Sequence, residues 1–141
     1  MSNYTNKLNN FSIKEQEDFM HLIFDVIHIG VSIISLSMRL DSYLDKYDLK
    51  EILNSRLKNE QYSTDFEYPI AKVLYQNRSN ITNQDDEEFY NRKLAVLRML
   101  ISYGADISKV EEKYSCYDTL NLEFMKEKKL INDEIIDFIY H

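Results

Sequence analysis

Arg98-Met99-Leu100-Ile101-Ser102-Tyr103-Gly104-Ala105-Asp106-Ile107-Ser108 decides how the rest of this chain is read. Leu94, Leu97, Leu100 and Ile101 repeat at the three- and four-residue spacing of a helix that buries one face. Gly104 stops that helix, because the left-handed residue just past a helix end favours the one side chain without a Cβ. Ala105 is small enough to sit under a neighbouring element. Asp106 can accept hydrogen bonds from loop backbone N–H groups. The stretch reads as a core helix, a sharp turn and a polar loop.

Working outward, the same helical logic covers most of the chain. Ser12-Ile13-Lys14-Glu15 is a capping box, followed by Phe19, Met20, Ile23, Phe24 and Ile27 on one face. A turn is expected near Gly30, then a second helix to about Tyr47. Asp48 is the expected N-cap of a third, shorter helix carrying Leu49, Ile52, Leu53 and Leu57. Pro69 opens another, continued by Ile70, Val73 and Leu74. Residues 76–93 are polar and acidic around Asp85-Asp86-Glu87-Glu88 and read as a loop, or a loop holding a short turn of helix. Two last helices are expected at about Asp118 to Lys128 and Asn132 to Tyr140, the latter capped by Asn132.

The eleven residues quoted first closely resemble the second half of an ankyrin repeat, in which an outer helix ends in aliphatic residues followed by Gly-Ala-Asp. Tyr68-Pro69-Ile70-Ala71 and Asp118-Thr119-Leu120-Asn121 resemble degenerate forms of that family's Thr-Pro-Leu-His helix opening. The spacing departs from the family: Pro69 to Gly104 is longer than a standard repeat leaves, which makes 76–93 an insertion between two helices. The resemblance covers at best 48–141. It implies an all-α fold, an irregular ankyrin-like stack of helix pairs, with residues 1–47 as an N-terminal capping helix pair in a single domain.

Composition agrees with helices. The chain has 141 residues, 44% hydrophobic and 29% charged, and two Gly and one Pro leave too few turn residues for an all-β sandwich. Net charge is −7, from 24 acidic against 17 basic residues. Nucleic-acid binders and proteins held on anionic membranes work through Lys and Arg, so the balance points away from both. It favours a basic protein partner. The single Cys116 excludes an internal disulfide, and no long apolar run marks a leader or a membrane span. The expected location is the cytoplasm.

Catalytic motifs are missing from the sequence. Cys116 has no His in a recognisable arrangement, and two glycines cannot build a phosphate loop. His21, Asp25 and His28 share one helix face and are the one set that could hold a metal, but without a fourth ligand they read as structural residues. No cofactor is expected. Binding features are richer. Eleven tyrosines offer contact area at low entropic cost. Tyr62, Phe66, Tyr68, Tyr75 and Tyr90 flank the acidic residues Asp85, Asp86, Glu87 and Glu88, and these nine are the expected partner-binding residues. The profile is that of a small acidic protein that neutralises a basic toxin, as immunity proteins do. Two alternatives stand beside it: an ankyrin-type effector or viral protein that binds a host factor, and a small metal-dependent enzyme using His21, Asp25 and His28.

Overall fold

The computed structural model describes residues 10–59, 66–76, 86–110 and 122–140. They form seven helices and a two-residue β-ladder: α1 (Ile13–His28), α2 (Ile33–Lys46), α3 (Leu49–Leu53), β1 (Leu57–Lys58), β2 (Phe66–Glu67), α4 (Pro69–Leu74), α5 (Asp86–Ser102), a 3-10 turn (Ile107–Val110), α6 (Leu122–Glu127) and α7 (Asp133–Tyr140). The fold is all-α.

Most helix starts are local. Ser12 Oγ accepts from Glu15 N–H at 3.1 Å, Asp48 Oδ1 from Glu51 N–H at 3.3 Å, and Asn132 Oδ1 from Ile135 N–H at 3.0 Å. Each satisfies one of the donors that a first helical turn leaves open. Pro69 sits in the first turn of α4, where it gives up no intrahelical bond. At the end of α5, Gly104 adopts φ +115°. Ala105 N–H reaches back to Leu100 O and Gly104 N–H to Ile101 O, both at 3.0 Å, the paired closure of a Schellman turn.

One apolar core runs from Phe11 to Ile135. α1 lies at its centre, against α5, β1, α4 and α2. Phe19, Met20, Ile23 and Ile27 of α1 are fully buried, as are Leu36, Leu40, Ile70, Val73, Leu97 and Leu100 from the helices around it. α1 also ties down β1. Gln16 Oε1 accepts from Lys58 N–H at 2.9 Å, and Glu17 pairs with Lys58 at 3.1 Å.

Asn54 joins α3 to the turn after α5. Its Nδ2 donates to Lys50 O at 2.8 Å and Gly104 O at 3.0 Å, while its Oδ1 accepts from Asp106 N–H at 2.7 Å. Asp106 in turn accepts from Ser108 N–H at 2.9 Å, the loop role expected for it.

Two expectations are corrected. Leu57 is buried on β1 rather than on the third helix. α3 ends at Leu53 because the side chains of Asn54 and Ser55 take carbonyls of the preceding turn, an alternative to continuing the ladder. Residues 86–93 are not loop but the first two turns of α5. Phe89, Lys93, Val96, Leu97 and Leu100 form one buried helical face, and the carboxylates of Asp86, Glu87 and Glu88 fall in the first turn, where the helix dipole favours them.

Candidate binding groove

The turn between α1 and α2 and the N-terminal half of α5 flank an open groove of about 540 Å³. Gly30, Val31, Ser32 and Ile33 form one wall, Glu87, Glu88, Asn91, Arg92 and Ala95 the other, with Val26 beneath. Gly30 is at φ +79°, a conformation that strains any residue with a side chain. A Cβ there would stand 2.8 Å from Arg92 Nη2. The guanidinium of Arg92 therefore depends on that glycine for its place. It is half-buried, pairs with Glu88 one turn earlier, and donates to Ile27 O at the end of α1 at 3.5 Å. Its charge is thus spent on Glu88 and on the negative end of α1. Glu87 and Asn91 are exposed on the same wall.

Beside the groove the α1–α2 corner shows apolar side chains to solvent. Ile29 is 61% exposed, Ile34 65% and Met38, one turn further along α2, 67%. These exposed apolar residues lie in or next to the segment that forms one wall of the groove, with acidic residues on the opposite wall, a combination that suits an interaction surface.

The structure divides the residues that the sequence nominated for binding. Glu87 and Glu88 line the groove, and Asp86 is exposed beside them in the same helical turn. Tyr90 lies elsewhere on α5, its hydroxyl donating to Lys129 O at 2.8 Å. Tyr68 is half-buried with the Arg56 guanidinium 5.4 Å from its ring centroid, Tyr75 is half-buried beyond the end of α4, and Phe66 is exposed on β2. None of these aromatic side chains lines the groove. Asp85, Tyr62 and Cys116 lie outside the described residues. Val31, Ile33, Asn91, Arg92 and Ala95 were not nominated for binding from sequence. The one available hint was the i, i+4 spacing of Glu88 and Arg92.

Deeper in, the helix face that carries His21, Asp25 and His28 splits. His21 Nε2 lies 3.4 Å from Asp25 at the surface, whereas His28 is buried, its Nε2 3.0 Å from Gln76 Oε1 and its ring against Phe24 and Phe89. Burial holds the His28 pKa below its ordinary value. The Gln76 bond opposes that, and the nearby Lys93 and Lys72 charges reinforce it. Among the described residues no group of three or more His, Cys, Asp or Glu is placed to hold a metal ion. Lys93 is fully buried. Its Nζ donates to three backbone carbonyls, Leu74 O at 3.0 Å, Gln76 O at 2.7 Å and Leu130 O at 2.6 Å, and burial pulls its pKa down to about 7. Those three contacts fasten the end of α4 and the α6–α7 turn to α5.

No helix among the described residues is long and apolar enough to cross a membrane. Comparison with family models, with curated proteins and with solved structures yields no match.

Proposed function

We propose that this chain is a cytoplasmic protein-binding module that neutralises a basic partner, in the manner of an immunity protein occluding a nuclease-like toxin. The observation that carries the reading is the groove: an acidic wall from α5 facing the α1–α2 turn, beside exposed Ile29, Ile34 and Met38. A net charge of −7 would steer a cationic partner at long range. Apolar burial at the corner would then hold it, with Asp86 and Glu87, beside the Glu88–Arg92 pair, standing where the phosphates of the partner's substrate would otherwise sit. No catalytic step belongs to this reading.

An irregular ankyrin-like stack is part of the same proposal. In its favour are the Schellman turn at Gly104-Ala105-Asp106, the antiparallel β1–β2 ladder just before Pro69, and Asn54 bridging the ends of α3 and α5.

The test is protection. Cells expressing a basic toxin encoded beside this gene should regain growth when the chain is coexpressed. A triple variant Asp86→Asn, Glu87→Gln, Glu88→Gln should associate with the toxin more slowly and with a weaker dependence on salt. Absence of protection, together with no binding of the toxin in a direct titration, would overturn the proposal.

A further inference from the structure

The groove's chemistry selects among possible occupants, and the geometry points to an extended segment of a basic protein that inserts one apolar side chain between Val31, Ile33 and Ala95 and sets a Lys or Arg beside it against Glu87. This names the partner's contact on the site proposed above and rests on that reading of the groove.

Three observations disfavour an anion and favour an apolar side chain flanked by a cation. Helix N-termini ordinarily attract anions, but the first turn of α5 already carries Asp86, Glu87 and Glu88, so an acidic peptide or a phosphate would meet repulsion there. The cation among the described lining residues, Arg92, is already paired with Glu88 and donates to Ile27 O, so its charge is largely offset. A volume of about 540 Å³ accommodates a few side chains, and the apolar part of the lining (Val26, Val31, Ile33, Ala95) rewards an aliphatic one. Exposed Ile29 and Ile34 extend the apolar surface past the groove, giving an extended segment further contact.

Two acetylated and amidated peptides, Lys-Lys-Leu-Lys-Lys and Glu-Glu-Leu-Glu-Glu, titrated into the full chain and followed by methyl NMR, test this directly. The basic peptide should shift the Val31, Ile33 and Ala95 methyls, and the acidic one should leave them in place. Glu87→Lys should weaken the basic peptide about tenfold. Asp137→Lys, the same change of charge on an exposed position of α7, should weaken it far less. Ala95→Arg should abolish the shifts by filling the groove, and Asn91→Arg, at an exposed position of the same wall, serves if that variant does not fold. Equal response to both peptides, or basic-peptide shifts confined to other faces, would overturn the inference. If the chain neutralises a toxin but Ala95→Arg or Asn91→Arg neutralises it equally well, the groove assignment falls while the proposed function stands. If the groove takes the basic peptide and no toxin is neutralised, the reverse holds.

Discussion

The C-terminal ends of α5 and α6 carry the same pair of backbone bonds. At α5, Ala105 and Gly104 donate to Leu100 O and Ile101 O; at α6, Leu130 donates to Met125 O and Lys129 to Lys126 O, both at 2.9 Å. Both turns need a left-handed residue. In the first it is Gly104, and in the second Lys129, at φ 62°. A residue with a Cβ sits in that region at a cost of about 1–2 kcal/mol. The α6 turn tolerates it because α5 reaches over to hold the strained residue and its neighbour: Tyr90 donates to Lys129 O at 2.8 Å and Lys93 to Leu130 O at 2.6 Å. One turn is made by its own residues, the other by side chains nearly forty positions upstream. The same motif can be local in origin or imposed.

The contrast can be broken most forcefully at Leu100, whose carbonyl closes the α5 turn and whose side chain is fully buried. Leu100→Ala should cost about 2–5 kcal/mol in denaturant unfolding, as for other buried leucines. A loss under half a kcal/mol would mean that the core beneath this helix end is not packed as described.

Lys93→Met comes next, with an expected loss of about 1–3 kcal/mol, since three buried carbonyls lose their donor while the desolvated charge is also removed. Its pH signature separates the two turns. The Lys93 ammonium titrates at about 7 in the folded chain against 10.5 ordinarily. Between those values the unfolded chain therefore binds the extra proton. Stability rises with pH across that window and is lost again as pH falls through 7. The melting temperature of the wild type should climb from pH 7 to about pH 9.5, short of the tyrosine range. Lys93→Met should be flat there. A slope retained in the variant would remove Lys93 as its source.

Smaller effects sharpen the comparison at the left-handed residues themselves. Gly104→Ala should destabilise by about 1–2 kcal/mol, and Lys129→Gly should stabilise by about 0.5–1 kcal/mol. Opposite signs in thermal melts are the diagnostic result; equal signs would mean that the two turns are not alike. Smallest is the acidic turn. Neutralising any one of Asp86, Glu87 and Glu88 should lower stability by about 0.3–1 kcal/mol at low salt, because these carboxylates face the positive end of a helix dipole rather than lying in a loop. No change in chemical denaturation at low ionic strength would mean that the helix dipole does not act on them.

What the residues determined unaided follows from the range of the forces involved. The caps at Ser12, Asp48 and Asn132, the proline opening α4 and the glycine ending α5 act over three to five residues, so each could be read from its immediate neighbours. Periodicity located the stripe from Phe19 to Ile27 for the same reason. Where a residue's place depends on groups distant in the chain, no local pattern announced it. Phe89 and Lys93 looked like part of a polar loop, because a lysine reads as solvent-facing until three carbonyls from α4 and the α6–α7 turn meet its ammonium. Leu57 looked helical until Glu67 appeared opposite it across a two-residue ladder. The groove, too, is a tertiary product. Glu87 and Glu88 were visible as an acidic run, but only the packing of α5 on α1 and α2 brought them to face Gly30, Val31 and Ile33, more than fifty residues earlier in the chain.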